Sequence, residues 1–96
     1  MKMVMVAYNE AIDEEVMEAL EQSGVNSYSK VTATYGRGGS SGTHLGTDIW
    51  PGRNNMVYVA CGDDEARQIL IRIGELRKKL KHEGVKAFVI PLEETI

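Results

Sequence analysis

Residues 3–20, MVMVAYNEAIDEEVMEAL, decide the fold, because a short apolar run passes directly into an amphipathic pattern. The run at 3–8 is rich in valine, which predicts a strand buried on both faces. Asn9 can cap a helix after it, and the acidic residues that follow suit the positive end of the helix dipole. Apolar residues then recur at every fourth position, namely Ile12, Val16 and Leu20. The stretch therefore predicts a strand and then an amphipathic helix, which Gly24 is placed to end.

Three further strands are predicted in the rest of the chain. Residues 28–35 alternate in polarity, which predicts a strand with one wet face. The side chains predicted on that wet face are Lys30, Thr32 and Thr34, and those predicted on the apolar face are Val31, Ala33 and Tyr35. An apolar run at 56–61 predicts the third strand. The fourth is predicted at 85–92, where Pro91 indicates an edge strand or the end of pairing.

A second helix is predicted between Gly62 and Gly84, because acidic residues follow the first glycine and basic residues precede the second. Its predicted apolar stripe consists of Ala66, Ile69, Leu70, Ile73, Leu76 and Leu80. The order βαββαβ predicts an α+β ferredoxin-like sandwich in which two helices cover one face of a four-stranded sheet. If the strands at 3–8 and 56–61 are central, the uncovered face is apolar, and we expect it to pack against other subunits.

Composition places the chain among ordinary soluble proteins. It has 96 residues, of which 43% are hydrophobic, and this length predicts one domain spanning residues 1–96. A net charge of −3 disfavours a nucleic-acid binder that relies on overall basic charge. Cys61 is the only cysteine, which fits a reducing cytoplasm and predicts a small core residue. The first apolar run is too short for a signal peptide or a membrane span, so no direct membrane insertion is expected.

A loop of unusual length, at about 36–54, separates the second and third strands, where a short hairpin would suffice. Six of the ten glycines lie in it, so its backbone N–H groups are free to face an anion. Arg37 adds a guanidinium suited to phosphate or carboxylate. The loop also contains Leu45, Ile49 and Trp50, which are larger apolar residues than a solvated linker needs. These three residues predict contacts with a partner or with a folded-down state of the loop.

The chain resembles the P-II superfamily of trimeric signal-transduction proteins, in its short P-II-like branch. The resemblance is carried by YNEAIDEEVMEALEQSGV at 8–25, YGRGGSSG at 35–42 and VKAFVIPLEE at 85–94, and it extends over essentially the whole chain. The block at 44–55, HLGTDIWPGRNN, differs from the nitrogen-regulatory members and is similar to P-II-like relatives, some of them associated with heavy-metal efflux.

This resemblance implies a non-enzymatic cytoplasmic sensor. Such a protein is a homotrimer that binds an adenine nucleotide in clefts between subunits and docks its long loop, the T-loop, on a target such as a membrane transporter. ATP, ADP and AMP are the implied effectors, and no cofactor is obligatory. Within the loop of this chain, the residues that we expect to bind the partner are Leu45, Ile49, Trp50 and Arg53.

The nucleotide-binding residues carried over by this resemblance lie at two places in the chain. Gly36, Arg37 and Gly38 match the base of the loop, and Lys86 with Gly84 matches the phosphate-binding turn before the last strand. The family's Gly-Asp-Gly-Lys turn reads Glu-Gly-Val-Lys at 83–86, so a valine replaces one glycine. The arginines that follow the last strand in nitrogen-regulatory members and the loop tyrosine of some members have no counterpart.

Two other functions stay open from the sequence. One is a ligand-independent oligomeric interaction module that docks through Trp50 and Leu45. The other is a metal-binding trimer linked to heavy-metal efflux, in which three copies of His44 would meet. No pair of His or Cys residues has the close spacing of a structural zinc site, which disfavours His44 as a metal ligand within one chain.

Overall fold

Strands and helices follow the predicted order in the computed structural model, which describes residues 1–35, 53–81 and 84–96. The described elements are β1 (Lys2–Asn9), α1 (Asp13–Gln22), β2 (Ser29–Thr34), β3 (Asn54–Cys61), α2 (Asp63–Lys79) and β4 (Val85–Pro91). A short 3₁₀ turn, Glu10–Ile12, joins β1 to α1. Because β3 already begins at Asn54, the strand starts earlier than the apolar run predicted, and the last residue assigned to the loop belongs to it.

The four strands form one antiparallel sheet in the order β2-β3-β1-β4. The two valine-rich strands are therefore central, as predicted, and β4 with its Pro91 lies at an edge. This strand order, with both described helices packed on the sheet or on each other, is that of the ferredoxin-like α+β fold. The predicted fold class is confirmed.

The hydrophobic core lies between the helices and one face of the sheet. Alternate residues of β1 and β3 point into it, and α1 and α2 add apolar residues at helical spacing. Its buried members are Val4, Val6, Tyr8, Ile12, Val16, Leu20, Val57, Val59, Cys61, Ala66, Ile69, Ile73 and Val85. Cys61 is thus a core residue, as its place in an apolar strand predicts.

The other face of the sheet, here called the open face, carries mostly apolar side chains and is not covered by any described element. One row across three strands joins Tyr58, Met5 and Phe88, because both Tyr58 and Phe88 lie opposite Met5 in the register. Phe88 is 49% exposed. Within one chain, β1 is therefore buried on its helix side and only partly covered on the open face. Burial on both faces stays a prediction, since it was expected to come from other subunits.

The ends of α1 follow the local signals in the sequence. The side-chain oxygen of Asn9 accepts a hydrogen bond of 2.8 Å from the backbone N–H of Ala11, so it caps the 3₁₀ turn that leads into the helix. At the other end, the N–H of Gly24 donates to Glu21 and that of Val25 donates to Leu20. These two bonds form a Schellman motif, with Gly24 at φ +90° in the left-handed position.

The second helix departs from its predicted extent. It ends at Lys79, well before Gly84, because Leu80 leaves the helical region at φ −105° and ψ 61°. Ala66, Ile69 and Ile73 are buried as predicted, but Leu70 is exposed. Leu70 lies at the margin of the stripe, because each helical residue is turned by about 100° from its neighbour.

The predicted faces of β2 are reversed. Lys30 lies opposite the buried Val57 and so points to the helix side, whereas Val31 lies opposite Met56 on the open face and is 47% exposed. Lys30 is stabilised there by an ion pair with the carboxylate of Asp13 at 2.9 Å. The simple alternation also fails at Ala33, which has a φ of +55°.

Candidate functional site at the loop end of the sheet

One end of the sheet, here called the loop end, carries both flanks of the predicted loop and the start of β4. Antiparallel pairing places Asn54, the first residue of β3, opposite both Asn9 and Thr34. The same pairing places Val85, the first residue of β4, opposite Tyr8. The ends of β1 and β2 therefore lie beside the beginnings of β3 and β4.

Backbone hydrogen bonds join Gly84 and Arg53, the residues just before β4 and β3, to the end of β1 and the start of the 3₁₀ turn. The N–H of Asn9 donates to the carbonyl of Gly84 at 3.2 Å, and the N–H of Glu10 donates to the carbonyl of Arg53 at 3.3 Å. The Arg53 guanidinium also faces the Glu10 carboxylate, with Nε and Oε2 3.8 Å apart. Arg53, predicted to bind a partner, is thus tied to the sheet by its backbone and paired through a partly exposed side chain.

Lys86 is the second residue of β4, one position into the strand from the loop end. It is exposed, it lies opposite Ala7 in the register, and it belongs to the open face. β4 is at one edge of the sheet and β2, which leads into the predicted loop, is at the other edge. Three strand spacings separate these edges, or about 14 Å. A ligand that touches both Lys86 and the start of the loop would therefore lie across the ends of β1 and β3, or between two chains.

The remaining predicted site residues lie outside the described residues. They are Gly36, Arg37, Gly38, His44, Leu45, Ile49 and Trp50. The structure places Gly84, Lys86 and Arg53 at the same end of the sheet, on either side of β1. The other assignments stay predictions from the sequence.

A polar cluster on the helix side of the same end was not predicted. It consists of Tyr8, Asp13, Lys30 and Asn55, and its centre is the Asp13 carboxylate. The Tyr8 hydroxyl donates to Oδ1 of Asp13 at 2.6 Å, and Nδ2 of Asn55 donates to the same atom at 3.1 Å. The Lys30 ammonium donates to both carboxylate oxygens at 2.9 Å. The Asp13 cluster therefore joins α1 to β1, β2 and β3.

The hydrogen bonds of the Asp13 cluster stabilise its charged state. Burial raises the pKa of Asp13, but the hydrogen bonds from Tyr8, Lys30 and Asn55, with the positive charge of Lys30, lower that pKa by more. The carboxylate is therefore ionised at neutral pH. Burial first, and then the hydrogen bond to Asp13 and its negative charge, raise the pKa of Tyr8 far above its ordinary value. Tyr8 is thus a neutral donor at every physiological pH.

No local pattern in the sequence predicts the Asp13 cluster. Asp13 reads as one of several acidic residues in a first helical turn, and Lys30 reads as a wet residue of an alternating strand. The two meet only because β2 pairs with β3 beneath the start of α1. Lys30 was the one signal that could have been used. Alternation in a strand predicts two faces but does not say which of them packs on the core, so a lysine on the helix side was an alternative.

Two kinds of feature are absent from the described part of the chain. Among residues 1–35, 53–81 and 84–96, no three His, Cys, Asp or Glu side chains are grouped where they could hold a metal ion. Over the same residues, neither helix has the length and apolar content needed to cross a bilayer.

The class defined by this fold and by the loop-end arrangement is that of small ferredoxin-like proteins with a long insertion between the second and third strands. Comparison with family models gives a match over residues 1–96 to the family described as nitrogen regulatory protein P-II. The chain therefore belongs to the P-II family, as its resemblance implied. No match was found among curated proteins.

Several solved structures with a similar fold are PII-like proteins. A PII-like signalling protein from Thermus thermophilus is 23% identical, with a TM-score of 0.65 over 93% of this chain and 83% of that one. CPII from Thiomonas intermedia, a nitrogen regulatory PII-like protein bound to ADP, AMP and bicarbonate, is 18% identical. Its TM-score is 0.66, and the alignment covers 99% of this chain and 94% of CPII. These likenesses support the fold.

Proposed function

We propose that this chain is a single-domain, non-enzymatic P-II-like regulator that binds an adenine nucleotide at the loop end of its sheet. The observation that carries the proposal is that Gly84, Lys86 and both flanks of the 36–54 loop lie at the same end of the sheet, in a chain of the P-II family. CPII, which shares the fold, is bound to ADP and AMP, so ADP is the first ligand to test.

The phosphates are assigned to positive charge from the two edges of the sheet. Lys86 would supply one ammonium on the open face, and Arg37 would supply a guanidinium from the start of the loop. Gly36, Gly38 and Gly84 would offer backbone N–H groups without side-chain obstruction. The valine that replaces a family glycine at position 85 is buried in the core, so its side chain points away from the open face where Lys86 lies. That orientation is compatible with a phosphate beside Lys86.

Three copies are proposed to assemble through the open face. The row Tyr58–Met5–Phe88 is apolar, and Ile90 extends it toward the far end of β4. Such a surface is costly to leave in water and is typical of a subunit interface. A homotrimer would also bring the loop end of one chain close to a neighbour, which suits a ligand that lies between subunits.

The loop at 36–54 is proposed to dock on a target protein, for which a membrane transporter is the candidate. Leu45, Ile49 and Trp50 would form the apolar contact, since buried aromatic and aliphatic anchors dominate binding energy in most interfaces. Arg53 would hold the returning end of the loop through its contacts with Glu10. The free, buried thiol of Cys61 fits the reducing cytoplasm where we place this regulator.

Calorimetric titration with ATP, ADP and AMP, with and without bicarbonate, tests the nucleotide proposal. Lys86→Ala and Arg37→Ala should each weaken binding by about tenfold or more, because a hydrogen bond to a charged group contributes about 1.5–3 kcal/mol. Arg67→Ala is the matched control, since it removes one exposed basic residue from the start of α2, which follows the end of β3 opposite the loop end. If no nucleotide binds to the unmodified protein, the proposal is lost. Equal losses of nucleotide affinity in all three variants would contradict the assignment of the site to Lys86 and Arg37.

Target docking needs a separate measurement. Trp50→Ala and Leu45→Ala should abolish co-purification of the protein with its target while leaving nucleotide binding intact. If capture persists unchanged in both variants, the docking assignment is wrong. If capture depends on Trp50 but is indifferent to every nucleotide, the chain is a ligand-independent interaction module instead.

A further inference from the structure

The strand that leads into the loop contains an irregularity just before it ends. Val31 of β2 lies opposite Met56, but Thr34 lies opposite Asn54, so β2 has one more residue than β3 over this stretch. Such an extra residue is a β-bulge, which bends its strand and changes the direction in which the chain continues. Thr32 and Ala33 together oppose the single residue Asn55.

Ala33 bears the conformational strain of this bulge. Its φ is +55°, in the left-handed region that favours glycine, and it is the only described residue other than glycine with a positive φ. The crowding of a Cβ atom disfavours this conformation for alanine. The bulge therefore persists because other contacts of β2 hold it.

Those contacts are few, because β2 buries no side chain in the core. Its ladder to β3 is regular only from Ser29 to Val31. Besides that ladder, the contacts of β2 within the described residues include one side-chain attachment, the ion pair of Lys30 with Asp13, whose side chains are 25% and 33% exposed. This pair fixes the last regular part of β2 to the first turn of α1, immediately before the bulge.

Asn55 connects the bulge to the same carboxylate. It is the residue opposite the bulge, it is 5% exposed, and its Nδ2 donates to Asp13. Its Oδ1 is buried and has no hydrogen-bond partner in the described part of the chain. Oγ1 of Thr34, at the end of the bulge, is likewise buried with no partner among the described residues. A buried polar atom without a partner is costly, so within the described residues the bulge is retained against three local penalties, at Ala33, Thr34 and Asn55.

We propose that the Ala33 bulge and its Lys30–Asp13 attachment position the base of the loop for the nucleotide, so that Lys30 and Ala33 are positioning residues of that site. Gly36 and Arg37 follow Ala33 within four residues of sequence. Removing one residue from a strand's register turns the side chains beyond it to the opposite face. A β2 without the bulge would therefore present the start of the loop in a different direction. This inference rests on the proposed nucleotide-binding function.

Four variants and ADP titration test the inference. Ala33→Val should weaken ADP binding by about tenfold, because a β-branched residue strongly disfavours a positive φ and the loss is one of position. Ala33→Gly should keep the affinity within about twofold, because glycine adopts that φ freely. Lys30→Met should weaken binding by about tenfold, and Lys30→Arg, which keeps the bond to Asp13, should restore most of it.

Gly24→Ala is the matched control for a loss of stability alone. It also places a side chain at a positive φ, but at the end of α1 and away from the loop end. It should lower the melting temperature and leave ADP affinity unchanged. Amide exchange at 30–35 should accelerate in Ala33→Val and Lys30→Met and not in Gly24→Ala, which reports the loss of the bulge directly.

The outcomes separate this inference from the proposed function. If the unmodified protein binds ADP and both Ala33→Val and Lys30→Met bind it equally well, the positioning role is wrong while nucleotide binding stands. If Gly24→Ala loses as much affinity as Ala33→Val, the effect is one of general stability and the inference is overturned. If the unmodified protein binds no nucleotide, the proposed function fails and this inference fails with it.

Discussion

Replacing Asp13 by alanine should destabilise the protein more than any other single substitution of an acidic residue in its helices. The carboxylate accepts hydrogen bonds from Tyr8, Asn55 and Lys30, at distances between 2.6 and 3.1 Å. Tyr8 is 2% exposed and Asn55 is 5% exposed, so both donors would lose their acceptor in places that water reaches poorly. Three elements besides α1 would lose an attachment at once.

The magnitude follows from those donors. A buried donor without a partner costs about 1–3 kcal/mol. Two donors lose the carboxylate here, and the Tyr8 hydroxyl keeps only a weak acceptor, Sδ of Met17 at 3.9 Å. The lost contact with Lys30 contributes less, because both side chains are partly exposed and water and salt screen the pair. Because Asp13 itself is 33% exposed, water would occupy part of the vacated space. We therefore expect a loss of about 2–4 kcal/mol, and about 15 °C in melting temperature for a domain of this size.

The assay is urea unfolding followed by circular dichroism at one fixed protein concentration, since assembly makes apparent stability depend on concentration. Glu14→Ala is the matched control, because Glu14 is an exposed acid in the same helical turn. It should change the free energy of unfolding by less than about 0.5 kcal/mol. Asp13→Asn should fall between the two, since it keeps one acceptor for Tyr8 and removes the charge that attracts Lys30. If Asp13→Ala loses no more stability than Glu14→Ala, the reasoning about the cluster is refuted.

Acid should reproduce part of the Asp13→Ala effect. The pKa of Asp13 is lowered in the folded state, so its contribution is present above the unfolded value of about 3.9 and is lost as the pH falls through the folded value. The stability of the unmodified protein should therefore decrease as the pH falls below about 4. Asp13→Ala should flatten that decrease. An identical acid dependence in the two proteins would contradict the pKa assignment.

Four further substitutions test other parts of the structure. The pKa of Tyr8 is raised on folding, so stability should fall as the pH rises above the unfolded value of about 10. Tyr8→Phe should weaken that alkaline dependence in denaturant titrations, and burial of Cys61, which raises the pKa of its thiol, should account for part of the remainder. Phe88→Glu places a charge in the open face and should convert the proposed trimer to a monomer in analytical ultracentrifugation; an unchanged sedimentation coefficient would exclude this face as the interface. Gly24→Ala should lower the free energy of unfolding by about 1–2 kcal/mol, because Gly24 has a φ of +90°. Gly74→Ala, in the middle of α2 with open space around it, should raise the free energy of unfolding by about 1 kcal/mol. The melting temperatures of the two variants should therefore shift in opposite directions.

The fold could be predicted because its decisive signals are local. The valine-rich run identifies β1, and the helical spacing of Ile12, Val16 and Leu20 identifies α1. The side chain of Asn9 caps the 3₁₀ turn before α1, and Gly24 ends the helix at a positive φ. The alternation of such elements leaves few topologies. The strand order then follows from the need to place the two most apolar strands at the centre.

The candidate site was only partly predictable, because its contacts join distant parts of the chain. Gly84 and Lys86 were named from a family resemblance, and their position beside Asn9 and Ala7 depends on pairing between β1 and β4. The inward direction of Lys30 could not be read from alternation, since its compensating partner is Asp13 on another element. The bulge at Ala33 has no composition signal either, because alanine is not a residue that favours a positive φ.

The bulge and the inward lysine of β2 also affect how this protein behaves at high concentration. An edge strand exposes unpaired N–H and C=O groups that can recruit a strand from another molecule and start fibril growth. A charged side chain directed inward and a kink in the ladder both make such pairing unfavourable. Lys30 and Ala33 thus leave β2 a poor template for cross-β stacking, so a chain with a regular, uncharged β2 would be the more prone to aggregate.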